Sequence, residues 1–432
     1  MEQNLKTLKE EYRKTELGKF PTSWKIMQLK DFLIPEIRAV KKPTTFYKGI
    51  GIRSHGKGTF LKPNCNPKDI ALDTLYEVKY RDLIVNITFA WEGAIALVKK
   101  EDDGALVSHR FPTYTFNEKI VLPEFFQYVI LQRWFVNELG LISPGSAGRN
   151  RVLRKTDFLK IKVPIPPIEE QKKIADILTQ IKDSIITSED LINSLNEFKR
   201  SAMKHLFTYG AVNFDDIDKV ELKETEIGMM PKDWEVKKIK EITTKRKSGG
   251  TPSKSKKEYW NGKIPFVLIE DMTSCKIYLK KTKKFITKKG LDNSSAWLVP
   301  ANSLLLSMYA TIGATAINKI PVATNQAILA MHLNHEFNLL YGAYLLHYSA
   351  ERLKMQNVAT TQKNVNKGIV ENFKVPLPPP PEQQKIASIL SAIDSKIEAE
   401  EKKKKALEEL FNSMLKTLLT AKIRVNDLEI GV

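Results

Sequence analysis

The sequence predicts a tandem duplication in which a strand-bearing globular region followed by a long charged helix occurs twice, the two helices pairing as an intramolecular coiled coil. Three observations carry this expectation. A proline-rich strand exit runs into a helix at Val163 to Leu178 (VPIPPIEEQKKIADIL) and again, 212 positions later, at Val375 to Leu390 (VPLPPPPEQQKIASIL). An entry segment, TELGKFPTSWKIMQLKDF from Thr15, returns 210 positions later as TEIGMMPKDWEVKKIKEI from Thr225. The near-constant shift at both ends of the copy defines one repeated unit. Finally, apolar residues step alternately by four and three through each helix, which is a heptad seam.

Each copy begins with a Gly/Pro turn and a tryptophan (Trp24, Trp234) ahead of alternating apolar residues, which reads as an entry strand anchored by a large aromatic. Residues 1 to 14 precede the first copy as a polar helix or disordered arm. Within the globular parts, DLIVNITFAWEGAIAL from Asp82 parallels SLLLSMYATIGATAI from Ser303, each a buried strand, a turn and a second strand. SAGRNRVLRKTDFLKIKVP from Ser146 parallels NVATTQKNVNKGIVENFKVP from Asn357, read as a loop leading into the last strand. Residues 40 to 75 and 245 to 295 show no correspondence. The proline tracts are stiff corners, because proline lacks an amide hydrogen and holds its predecessor extended. Glu170 and Glu382 then fall in the first helical turn, where a carboxylate suits the positive end of the helix dipole. The seams are Ile174, Leu178, Ile181, Ile185, Ile192 and Leu195 in the first helix, and Ile386, Leu390, Ile393, Ile397, Leu407, Phe411, Met414 and Leu418 in the second. Polar Ser188 and Glu400 interrupt them at matching positions, where loosening is expected. At about 1.5 Å per residue such helices span roughly 50 to 65 Å. Each needs a partner for its stripe: its twin, or alternatively a partner protein.

Composition narrows the function. Sixty-nine Lys and Arg against 50 Asp and Glu give a net charge of +19, which points to an anionic partner, nucleic acid first, with a merely lysine-rich composition as the alternative. Cys65 and Cys275 form neither a disulfide framework nor a zinc motif, and the six histidines show no metal-ligand spacing. The amino terminus is charged, no apolar run approaches the ~18 residues of a membrane span, and the expected location is the cytoplasm. Apparent catalytic motifs fail on inspection. GIRSHGKG, Gly51 to Gly58, resembles a phosphate loop but has Gly58 where Ser or Thr would hold magnesium, and it fits a basic hairpin better. Asp69 with Glu77 and Lys79 imitates a nuclease triad by chance composition, and the Asn-Pro-Pro-aromatic and methyl-donor motifs of a methyltransferase are missing.

Basic side chains instead cluster in loops. The first region offers Arg53, His55, Lys57, Arg149, Asn150, Arg151, Arg154 and Lys155. The second offers Lys245, Arg246, Lys247, Lys254 and Lys256 around a Gly-Gly-Thr-Pro turn, and Gln362, Lys363, Asn364, Asn366 and Lys367 in a later loop. Arg can fork onto guanine or neutralise phosphate, and amides can address adenine. Any one of these lysines read alone is a solvated surface charge; the clusters are read as phosphate contacts with a minority touching bases.

These stretches, together with GGTPSKSKKEYWNGKIPFV from Gly249, LLLSMYATIGATAI and ATNQAIL from Ala323, resemble the specificity (S) subunit of type I restriction-modification enzymes over nearly the whole chain. The resemblance implies two tandem α/β target-recognition domains separated by two long antiparallel helices forming a coiled coil. The corresponding boundaries are an arm to residue 14, domains at 15–165 and 211–376, and spacer helices at 166–210 and 377–425 with a tail to 432. It further implies a non-catalytic chain that binds double-stranded DNA at a bipartite asymmetric site and docks methyltransferase (M) and restriction (R) subunits, with no membrane role. This chain is then expected to bind no cofactor, S-adenosylmethionine, ATP and Mg belonging to the partner subunits. The first domain departs from the pattern, carrying GIRSHGKGTF in place of the GGTP-YW signature. The rival readings are an orphan scaffold that binds methyltransferase without programming sequence, and a hidden nuclease or ATPase.

Overall fold

The structure, a computed structural model, describes residues 11–145, 151–356 and 364–425. The chain divides into two compact units, residues 1–189 with 402–432, and residues 190–401. Each long helix, Ile168–Tyr209 and Pro380–Leu419, therefore contributes one half to each unit. No described helix is long and apolar enough to cross a membrane.

Each sequence repeat opens on a short hairpin: Tyr12–Thr15 with Gly18–Pro21, and Leu222–Thr225 with Gly228–Pro231. The first corrects the expected arm. Residues 12–14 are strand, because Tyr12 pairs with Pro21 and its hydroxyl reaches the Ala421 carbonyl at 2.9 Å. The strand after each tryptophan pairs antiparallel with the proline-rich exit strand, Ile26 opposite Pro164 and Val236 opposite Pro376. These ladders have two strands, where a missing proline amide is tolerated.

The shared scaffold of each unit is an antiparallel run of four strands. In the first unit the order is Ile95–Leu97, Leu83–Val85, Thr113–Phe116, Leu33–Glu36. In the second the order Thr315–Asn318, Leu304–Ser307, Ile328–Leu333, Thr243–Ser248 repeats it, with Tyr278–Leu279 added at the edge. The remaining sheets differ. The first unit has five strands built around the hairpin Tyr47–Ile52/Thr59–Cys65, so GIRSHGKG is a hairpin tip as expected. The second has four strands built on Trp260–Val267. The stretches expected to be plain loops before the last strand instead contain short helices, Lys155–Phe158 and Lys367–Asn372.

Helix pairing is antiparallel within each unit. In the first, Ile174 and Leu178 pack in one core with Leu418 and Leu419, joined by Phe411 and Met414, and Lys404 reaches Glu189 at 3.1 Å. In the second, Ile386, Leu390, Ile393 and Ile397 share a core with Ala202, Met203, Leu206 and Phe207, and Lys199 meets Asp394 at 2.6 Å. Ile181 and Ile185 are only half-buried. The expected loosening does not occur: both helices run unbroken through Ser188 and Glu400, and both side chains are buried.

The recurrent Glu-Gln of the two helix starts has a structural task. Trp24 Nε1 donates to Glu170 at 3.0 Å and Trp234 Nε1 to Glu382 at 2.8 Å, locking entry strand to helix. Gln171 donates to the carbonyls of Ile120 and Pro166 and accepts from Leu122 N–H; Gln383 does the same with Glu336, Pro378 and Asn338. The far helix end then closes on each glutamate. Arg424 forks onto Glu170 at 2.7 and 2.8 Å, while Ala211 N–H donates to Glu382 at 3.2 Å. Gly210 must be glycine, since its φ is +84° and a Cβ would fall 2.2 Å from the Glu382 carboxylate.

Candidate nucleic-acid interface

Strand register places the candidate loops at one end of each scaffold sheet. In the second unit Ser248, Ile328 and Ser307 lie near one sheet end, Ile328 directly opposite Ser307, so Gly249–Lys256, Asn325–Ala327 and Met308–Gly313 emerge together. Met308 N–H donates to Ala327 at 2.8 Å and accepts Val365 N–H on its carbonyl at 3.1 Å, which brings Asn364 and Lys367 to the same edge. The first unit repeats the device: Ile87 N–H donates to Arg110, and Leu153 N–H donates to Ile87, at 3.0 and 2.8 Å. The Tyr47–Cys65 hairpin joins that edge because His55 and Gly56 N–H bond the Glu92 and Gly93 carbonyls at 2.7 and 3.1 Å.

The candidates distribute unevenly over these edges. Lys57 is exposed at the hairpin tip. Arg53 beside it donates to the Thr59 carbonyl and stacks on Phe60, 5.0 Å from the ring centre. Arg151 lies over Trp91 at 5.2 Å, Arg154 is 3.8 Å from Asp157, and Lys155 is exposed at the start of its short helix. Lys254 and Lys256 are exposed, Lys256 donating to the Tyr259 hydroxyl. Lys367 is 3.5 Å from Glu371, and Asn364 is half-buried. Arg149, Asn150, Gln362 and Lys363 lie outside the described residues.

Arg246 behaves differently from its neighbours. Its guanidinium turns inward to the Thr243 and Lys240 carbonyls and to Glu371 at 3.2 Å. Burial opposes ionisation of Glu371, but hydrogen bonding from Arg246 and the charge of Lys367 outweigh it and hold the carboxyl below its ordinary range. Arg246 is therefore a brace for the last short helix.

Sequence reasoning missed Trp91, Arg110 and Trp297, which sit among the basic groups of these edges; Arg110 reaches the Thr88 hydroxyl at 3.4 Å. Only Arg110, between His109 and Phe111, carried a local signal of positive charge beside an aromatic; Trp91 and Trp297 meet their cations across 60 and 52 residues, in stretches without a basic neighbour. The Gly-Gly of the second edge is also explained by close approach: Gly249 and Gly250 N–H bond Asn325 and Thr324 carbonyls at 3.2 and 3.0 Å, and a Cβ on Gly249 would lie 1.8 Å from the Thr324 oxygen. What the two edges can do chemically is bind an extended polyanion, through cations carried on rigid sheet ends whose loops differ between the units.

A duplicated scaffold bearing unlike basic edges is the architecture of a known family. The chain belongs to the type I restriction modification DNA specificity domain family, whose model matches twice, over residues 21–197 and 231–409. It is 27% identical over 427 residues to a putative type I restriction enzyme MjaX specificity subunit of Methanocaldococcus jannaschii, covering 96% of this chain and 97% of that one. It is 36% identical over 199 residues, 45% of this chain and 46% of the other, to the MjaIX specificity subunit of the same organism. Its fold is similar to a chain from a structure concerned with assembly and conformational transition of the type I R-M system (TM-score 0.58, 17% identity, 93% of this chain and 99% of that one). It is likewise similar to the type I S subunit of M. genitalium (TM-score 0.57, 14% identity, 91% and 96%).

Proposed function

We propose that this chain programs the sequence specificity of a type I restriction-modification system. Each unit reads one half of a bipartite, asymmetric double-stranded DNA site through its scaffold edge, and the paired helices hold the unread spacer. The chain docks methyltransferase (M) and restriction (R) subunits and is itself non-catalytic; S-adenosylmethionine, ATP and Mg act in those partners. The observation that carries the reading is the identical strand order of the two scaffolds beneath unlike edge loops, a basic hairpin in one and the Gly-Gly-Thr-Pro loop in the other. One kind of target met by two different loop sets gives two different half-sites.

The test is to co-produce the chain with its methyltransferase subunits and map methylated adenines genome-wide. A split motif with unlike halves is expected. Methylation at a continuous site, or methylation indifferent to this chain's presence, would falsify the assignment and favour the orphan scaffold.

A further inference from the structure

We infer that Trp297 braces Lys245 and Lys247 into a two-ammonium clamp for one stretch of phosphodiester backbone in the second unit; this deepens the DNA reading and rests on it. The three consecutive basic residues of the strand Thr243–Ser248 do not act alike. Arg246 is consumed by Glu371 and by backbone carbonyls, whereas Lys245 and Lys247 are exposed and project over one indole, 4.8 and 5.7 Å from its ring centre. The ring is anchored against the small core of Val267, Leu305, Val322 and Ala330. Among the described residues neither ammonium has a carboxylate partner or hydrogen-bond acceptor, and the buried Trp297 Nε1–H has none either.

Two unneutralised ammoniums held beside one indole repel each other and demand an anion. The indole quadrupole offsets only part of that repulsion, at about 0.5–1 kcal/mol for an exposed pair. A phosphodiester supplies what is missing, a negative charge with several acceptor oxygens. Lys247 is two residues from Gly249, so the clamp adjoins the loop edge. The first unit carries a similar device built from different residues, Arg151 over Trp91, at its own edge. Trp297 acts through the lysines and is a positioning residue: it holds them in place before DNA arrives, which lowers the side-chain entropy lost on binding.

The experiment measures binding of the full chain to a random-sequence duplex between about 50 and 200 mM salt, a range over which phosphate contacts dominate affinity. For Lys245→Gln/Lys247→Gln the slope of log K against log salt should fall in magnitude by about 1.8, so wild type loses about ten-fold more affinity than the variant across that range. Trp297→Leu should weaken binding about five- to ten-fold while keeping the wild-type slope, and Trp297→Phe should restore most of the loss by restoring an aromatic face. Thermal unfolding of each variant confirms that folded proteins are compared; the lysine pair is on the surface and carries the test if Trp297→Leu misfolds. Salt-dependent binding by wild type with an unchanged slope in the lysine variant overturns the clamp alone. Unaltered affinity in folded Trp297→Leu overturns the bracing role. Flat, weak binding by wild type overturns the DNA reading itself and the clamp with it.

Discussion

Gln383 shows how one side chain can determine where a helix begins. It is fully buried, and its amide satisfies two carbonyls and one N–H from segments 5 and about 45 residues away. Removing it leaves those backbone groups buried without partners, which costs about 1–3 kcal/mol for each group that water cannot reach. Gln383→Ala should therefore lower unfolding stability by about 2–4 kcal/mol, read as a shift in urea midpoint; Gln383→Glu should not rescue, because a carboxylate cannot donate to the two carbonyls. Cys275 offers a different readout. Burial pushes its thiol up to about 11, so at pH 8 only about one molecule in a thousand carries the reactive thiolate. Iodoacetamide at pH 8 should label half-buried Cys275 slowly in the folded chain and readily in urea; equally rapid labelling in the folded chain would contradict a raised thiol pKa.

At the scale of elements, local pattern was legible and long-range pairing was not. The Gly51–Gly58 hairpin and the buried strand–turn–strand pairs are written in spacings of a few residues, and each is present. Ile174 and Leu178 enter one core and Ile386, Leu390, Ile393 and Ile397 the other, whereas Ile181 and Ile185 are only half-buried and the loosening expected at Ser188 and Glu400 does not occur. The helices continue through Ser188 and Glu400 because propagation adds one backbone hydrogen bond per residue whatever the side chain, so a polar position in the stripe does not break them. The recurrence of Trp and of Glu-Gln was visible, yet the Trp24 to Glu170 bond joins residues 146 apart, and no local pattern reveals it. Arg246 was grouped with Lys245 and Lys247 by sequence; strand alternation and Glu371, 125 residues on, separate them. The five-stranded sheet of the first unit was equally hidden, since Leu106 pairs with Gly49 in parallel across a connection no periodicity marks.

For the molecule as a whole, duplication has a consequence for distance that follows from helix geometry alone. A heptad adds about 10.5 Å to a helix at 1.5 Å per residue, and it restores the apolar stripe to the same face. B-form DNA advances about 34 Å per turn of 10 to 10.5 base pairs, so one heptad corresponds to about three base pairs and to roughly a third of a turn around the duplex. If the paired helices set the spacer, lengthening them by one heptad at opposite positions moves one reading edge along the DNA and also around it. Three heptads, about 31 Å, come close to a full turn and return the edge to nearly its original face. Insertion of three heptads after Glu189 and three before Lys404, the pair that meets across the helices, should therefore lengthen the preferred spacer by about nine base pairs with half-sites and affinity retained. One heptad at the same place should lengthen it by about three and bind more weakly, because duplex or protein must twist to bring both edges to bear. Selection from duplexes with randomised spacer lengths measures both outcomes. An unchanged spacer in the three-heptad protein would mean that distance is set elsewhere, while equal affinity for the one- and three-heptad proteins would mean that the edges are not held in rotational phase.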